Sequence, residues 1–195
     1  SYLGINSEII DVAHNGVSEY FIPVSSSESE KFTLKLTGGN PYFLFVGNFS
    51  PRKNIPGVIK AYNQFRSDSQ FNHKLVLAGG RLFLNSETER LIKASPWFSD
   101  IVLTGPVLHE ELQKLYSAAS ALVFVPWFEG FGIPAAEAMR CGTPVILSDT
   151  TSLPEIGGNA AIFVSPDDTM AISCAMKKIV SDESFRKSTV EKGLI

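Results

Sequence analysis

Short unbroken apolar runs alternate along this chain with stretches in which apolar residues recur every three or four positions. The run Tyr42–Val46, YFLFV, lies between Pro41 and Gly47, and residues 75–78, 101–103, 121–125, 145–147 and Ala161–Val164 have the same character. Runs of this length, closed by Gly, Pro or Asp, suit strands buried on both faces of a parallel sheet. Between them, residues 55–65 place Ile55, Val58, Ile59, Tyr62 and Phe65 on one helical stripe, and 110–119 does the same with Leu112, Leu115 and Tyr116. The tail from Met170 to Leu194 reads as one or two helices. This alternation predicts a doubly wound, Rossmann-like α/β fold, a parallel sheet of about six strands with helices on both faces.

Two segments depart from the pattern. Residues 25–39 are rich in Ser, Glu, Lys and Gly and read as a flexible loop. His14-Asn15-Gly16 reads as a turn closing an early strand over 8–13.

Composition narrows the function classes. With 195 residues, 44% of them hydrophobic, the chain can bury a core of its own. Its 17 Lys+Arg against 20 Asp+Glu give a net charge of -3, which lacks the basic footprint expected of a nucleic-acid or anionic-membrane binder. No apolar run approaches the roughly 20 residues of a membrane span. Cys141 and Cys174 lie in apolar surroundings without CxxC spacing and read as buried free thiols, which suits a reducing, cytoplasmic setting. His14, His73 and His109 are scattered, and no chemistry is read from them; Phe43, Phe45 and Phe124 read as core.

The most informative stretch is PWFEGFGIPAAEAMRC, residues 126–141. A strand ends at Val125, a turn holds Glu129-Gly130-Phe131-Gly132, and a helix follows with Pro134 in its first turn, where a missing N–H costs nothing. Bare backbone at a helix start, together with the positive end of the helix dipole, makes an anion site suited to phosphate. In an open α/β sheet, ligands bind in the crevice at the carboxyl ends of the strands. Glu129 and Glu137 stand eight positions apart. On one helix they would be ~12 Å apart, too far to act as a pair across one glycosidic bond, where retaining hydrolases need ~5 Å. Carboxylates accept hydrogen bonds and repel phosphate, so each glutamate is expected to take sugar or ribose hydroxyls on either side of bound phosphates.

The countercharge is read from a second strand end, Gly47-Asn48-Phe49-Ser50-Pro51-Arg52-Lys53-Asn54. Arg52 offers a planar fork to phosphate oxygens and Lys53 a compact charge. Two cations and the half-charge of a helix N-terminus offset most of the charge of a departing nucleoside diphosphate. The sequence has no Asp-x-Asp pair to hold a divalent ion, and a metal-independent site is expected. Taken singly, these features are ordinary. An EGFG turn is a strand-to-helix connection, an Arg-Lys pair a solvated loop, and Glu137 an exposed helical residue. Their shared position at carboxyl ends of strands raises them above that reading.

The segment EGFGIPAAEAMRCGTPVILSD, with its two glutamates, resembles the group 1 glycosyltransferases, retaining enzymes of the two-domain B-type fold. The resemblance extends to GNFSPRKNIPGVIKAY, LVLAGG, IVLTGPVLHEELQKLYSAASALVFVPWFEGFG and SLPEIGGNAAIFVSPDD. The PRKN form is similar to bacterial polysaccharide and lipopolysaccharide sugar transferases.

The resemblance implies that Glu137 holds the ribose hydroxyls, Glu129 a hydroxyl of the transferred sugar, and Arg52 and Lys53 the diphosphate. It implies that the backbone of Gly130, Phe131, Gly132 and Ile133 meets the distal phosphate and sugar, and that the turn near Val107 meets the base. Asn48 stands where many members have Arg, which leaves Arg52 as its substitute. The implied co-substrate is a UDP- or GDP-linked hexose, with no other cofactor, and the implied acceptor a glycan or glycolipid. Under this reading residues 1–195 form a C-terminal donor domain: 1–40 a linker-proximal strand and flexible loop, 41–195 the Rossmann-like core. On the same reading the N-terminal acceptor domain is expected to be absent, and any contact with the inner face of a membrane to belong to it. Such a fragment is expected to bind nucleotide and to transfer sugar negligibly, since half a site cannot close over an acceptor. The alternative is a non-catalytic α/β nucleotide-binding or regulatory module, against which the presence of both glutamates and both cations counts. A sugar-nucleotide epimerase or a phosphorylase is less suited, because no His or Lys is placed for the added acid–base or cofactor chemistry.

Overall fold

The computed structural model describes residues 9, 11, 13–80 and 86–194. Six parallel strands, β1 (Tyr42–Val46), β2 (Lys74–Ala78), β3 (Ile101–Gly105), β4 (Ala121–Phe124), β5 (Val145–Ser148) and β6 (Ala161–Val164), form one sheet in the order β3-β2-β1-β4-β5-β6. The connecting helices are α1 (Ser26–Thr37), α2 (Ile55–Ser67), α3 (Ser86–Ala94), α4 (His109–Ala118), α5 (Ile133–Arg140), α6 (Leu153–Gly157), α7 (Thr169–Ser181) and α8 (Glu183–Gly193). Helix α2 packs on α7 and α3, while α4 packs on α1 and α5, so helices flank the sheet. The expected α/β class and strand number hold. β4 stops one residue earlier than the apolar run suggested, and β3 continues two residues beyond Leu103.

Central β1 and β4 are buried because both of their faces are covered. Tyr42, Phe43, Leu44, Phe45 and Phe124 are all 0% exposed, which is why their sequences lack polar alternation. Strand order reverses between β1 and β4, whose partners on either side are β2 and β5. The connections leaving β1 and β4 lead to α2 and α5, which pack with different helices, and both carry the residues singled out above. The carboxyl edge is kept bare by close backbone packing: a Cβ on Gly79 would stand 1.8 Å from the Gly47 carbonyl oxygen.

Three expectations are corrected. Residues 25–39 are not a flexible loop, because Ser26–Thr37 is helix α1. The Ser25 hydroxyl accepts the Glu28 N–H at its start, and Gly38, with φ 68°, closes it by donating to Leu34 O. The strand expected over 8–13 lies outside the described residues except at Ile9, Asp11 and Ala13, none of which is in a strand. His14–Gly16 forms no hydrogen-bonded turn; the turn falls at Glu19–Tyr20, closed by Phe21 N–H to Ser18 O at 3.1 Å. Finally, both cysteines are free, but only Cys141 is buried, whereas Cys174 is exposed on α7. A helix in an outer layer turns part of its circumference to water, and Cys174 falls on that side.

Candidate functional site

The β1–α2 connection is a 3-10 turn, Pro51–Lys53, followed by Asn54 in the left-handed region at φ 55°. Asn54 fixes this turn from three directions. Its Oδ1 accepts the Gly57 N–H at 3.2 Å and caps α2, while its Nδ2 donates to Val125 O at 3.1 Å and Pro166 O at 2.7 Å. The Trp127 N–H adds a 3.0 Å bond to Arg52 O, so the β1–α2 and β4–α5 connections are stitched together.

The result brings Arg52, Lys53 and Glu129 into one cluster. The Lys53 ammonium is ion-paired to Glu129 Oε2, and Arg52 Nη1 reaches the same oxygen at 3.2 Å and Phe128 O at 3.0 Å. Arg52 remains open to solvent, whereas Lys53 is 6% exposed and lies 4.6 Å from the centroid of the Phe124 ring. Burial lowers the Lys53 pKa, although its bond to Glu129 works the other way. Burial alone would raise the Glu129 carboxyl, but Lys53 and then Arg52 outweigh it and hold the group below its usual range. The trio thus carries a net single positive charge rather than the two of free cations, and an arriving diphosphate must compete with Glu129 for them.

Beyond Glu129 the chain turns into α5. Gly132 occupies the cap position at φ 104°, and Pro134 lies in the first turn as expected. Among the described residues, the N–H groups of Gly130, Phe131, Gly132 and Ile133 have no protein acceptor, which leaves a row of donors at the positive end of the helix. The loop is held from behind by Ser152, whose hydroxyl donates to Glu129 O at 3.1 Å and Phe131 O at 3.0 Å. Thr151, with φ 54°, accepts the Glu129 N–H at 3.2 Å. Glu129 through Pro134 line a cleft of about 490 Å³ whose other wall is Ala13, His14 and Asn15.

Glu137, one turn into α5, is half-buried. It accepts the Tyr116 hydroxyl on Oε2 at 2.8 Å; burial raises its pKa and Tyr116 opposes this. Asn48 is exposed at the end of β1 and accepts the Ser50 hydroxyl at 3.0 Å. Val107 is not part of the cleft: it lines a separate groove between α1 and the β3–α4 connection, with Phe32, Leu36 and Thr104. Among the described residues, no group of three or more His, Cys, Asp or Glu is arranged to hold a metal ion, and no helix is long and apolar enough to cross a membrane.

Sequence reading missed Asn54, Tyr116 and the Thr151–Ser152 brace. Asn54 had a signal, a capping residue directly before an apolar helix with Pro at its start. Tyr116 and Ser152 had none, because their partners are 21 positions or more away.

Residues 26–194 match the family described as glycosyl transferases group 1. The chain belongs to that family. It is 35% identical over 181 residues to O-antigen chain mannosyltransferase B of Escherichia coli, covering 91% of this chain and 47% of that protein. Among solved structures of this fold, HepE of Anabaena, solved with UDP and glucose, aligns with a TM-score of 0.87 at 20% identity, over 99% of this chain and 53% of that one. The C-terminal domain of a group 1 family glycosyl transferase from Francisella tularensis, LpcC, aligns with a TM-score of 0.79 at 22% identity, over 92% of this chain and 95% of that domain. The chain therefore spans about half the length of the curated relative it matches.

Proposed function

We propose that this chain is the donor-binding domain of a retaining, metal-independent sugar transferase of polysaccharide synthesis, and that the donor is a nucleoside-diphosphate hexose. One observation carries the reading: two cations from the β1–α2 turn converge on Glu129 at the mouth of a cleft edged by free backbone donors. A purely structural ion pair would not need a second cation and a row of uncommitted N–H groups beside it.

In the proposed complex the diphosphate takes Arg52 and Lys53 from Glu129, and the distal phosphate meets the backbone of Gly130–Ile133. Glu129, released from its cations, accepts a hydroxyl of the sugar. Glu137 takes the ribose hydroxyls, and Asn48 borders the phosphates. The backbone near Val107 is assigned to the base, which requires the base to reach past the start of α4. In transfer, the bond from the sugar's anomeric carbon to the phosphate oxygen breaks, and its electron pair stays on the diphosphate. The acceptor oxygen bonds that carbon, and its proton leaves with the diphosphate. Arg52, Lys53 and the α5 N-terminus stabilise the charge that develops on the leaving group. The mannosyltransferase relative favours mannose as the sugar and a glycan or glycolipid as acceptor, and HepE shows a UDP-type ligand on this fold. The acceptor, and any contact with the cytoplasmic face of a membrane, belong to a further domain, without which turnover is expected to be negligible.

The experiment is saturation-transfer NMR of the chain with UDP-glucose, GDP-mannose and ADP-glucose, each with and without EDTA. One donor is expected to give transfer to both ribose and sugar protons, unaffected by EDTA. Absence of binding by all three, or binding abolished by EDTA, would contradict the proposal.

A further inference from the structure

We propose that Tyr116 is the positioning residue for Glu137, and that it thereby sets how sharply the site separates ribonucleotides from nucleotides lacking ribose hydroxyls. The inference rests on the reading above, in which Glu137 takes those hydroxyls.

Tyr116 sits in the last turn of α4 and is 0% exposed, so it cannot itself be a ligand contact. It is anchored along its length. Its backbone carbonyl accepts the Ala119 N–H at 3.0 Å and the Thr143 hydroxyl at 2.6 Å, and the ring meets Phe21 edge-on with centroids 5.9 Å apart. The fixed hydroxyl then donates to Glu137 Oε2 at 2.8 Å. A phenol has one proton to give, so it commits one carboxylate oxygen; among the described residues Oε1 has no hydrogen-bond partner and remains to accept from a ligand.

A glutamate on a helix surface otherwise has three side-chain torsions to freeze on binding. The Tyr116 bond freezes them beforehand and favours the ionised, accepting form against the burial that disfavours it. Filling core volume would need only a phenylalanine at this position; the hydroxyl is explained by what it holds. The pairing also ties α4 to α5 and thus the β3–α4 connection, assigned to the base, to the helix that carries the ribose contact.

The test measures Kd by calorimetry for a nucleoside diphosphate and its 2′,3′-dideoxy counterpart, in wild type, Tyr116→Phe, Glu137→Gln and the double variant. A hydrogen bond to a charged group corresponds to roughly 10–100-fold in affinity, and wild type is expected to prefer the ribonucleotide by about that factor. Tyr116→Phe is expected to cut the preference about tenfold while the dideoxy Kd stays within about twofold. Loss on both ligands alike, or an unchanged preference, would overturn the proposal by reducing Tyr116 to a core residue. Should the single variant not fold, the double variant decides, because it removes the buried charge left without a donor. Its preference should equal that of Glu137→Gln within about twofold, and a further drop would show Tyr116 acting apart from Glu137. Failure of the underlying reading looks different: wild type would bind neither nucleotide, or Glu137→Gln would leave the preference intact.

Discussion

A methyl group added at Gly132 would stand 2.6 Å from Leu153 Cδ2, on a backbone whose φ of 104° already disfavours any side chain. Both penalties fall on the N-cap of α5, beside the free N–H groups of Gly130, Phe131 and Ile133 that, among the described residues, edge the cleft. Gly132→Ala is therefore expected to destabilise the chain by about 2 kcal/mol or more in denaturant titration. It should weaken nucleotide binding beyond that loss, because Leu153 begins the helix bracing the loop from behind. The glycine was legible in the sequence, since it ends a Gly-containing turn directly ahead of a helix whose first turn holds Pro134. The ion pairing of Glu129 was not. Arg52 and Lys53 lie 77 and 76 positions from it, and no local pattern encodes a contact over that separation. Sequence reasoning placed both cations and Glu129 at one edge but treated them as independent; the fold makes these three a single cluster with one positive charge to spare.

At the scale of elements, the strands were readable because burial on both faces leaves only apolar residues. Helix α1 was not, because its buried side is narrow. Phe32 and Leu36 are only partly buried and Thr37 is the one buried residue, so a Ser- and Glu-rich outer face dominates the composition. Its caps were nevertheless in the sequence, Ser25 with Glu28 after it and Gly38 beyond the end. The start of β2 carries a second consequence. His73 is buried between Phe43, stacked at 5.2 Å, and the edges of Phe65 and Phe71, and its Nδ1 has no hydrogen-bond partner. Burial first, and the nearby Arg66 charge second, bring its pKa down from 6.5 to about 4. The unfolded chain protonates first as pH falls, so the stability from neutral His73 is full above pH 6.5 and is lost progressively toward pH 4. That loss amounts to roughly 3 kcal/mol. Unfolding free energies measured across this range should fall steeply in wild type and much less in His73→Phe, which keeps an aromatic ring against Phe43. Equal slopes would contradict the assignment.

Over the whole molecule, the strand order β3-β2-β1-β4-β5-β6 does the positioning. The reversal falls between β1 and β4, and the connections after β1, β4 and β5 supply the cations, the free backbone donors and the brace of the candidate site. The α/β class, and the edge on which the candidate site was placed, were legible because they follow from alternation and from where parallel strands end. The separation of Val107 from the cleft was not, since it depends on how α1, read as a loop, packs against α4. In the proposed complex Lys53 and its cluster recognise a diphosphate. The most direct test of this is a calorimetric comparison, in EDTA, of a nucleoside diphosphate with its monophosphate in wild type and Lys53→Ala. Wild type should bind the diphosphate at least about tenfold more tightly, and the variant should bring the two near equality while the monophosphate Kd changes by less than about threefold. A diphosphate preference undiminished in Lys53→Ala would contradict the account.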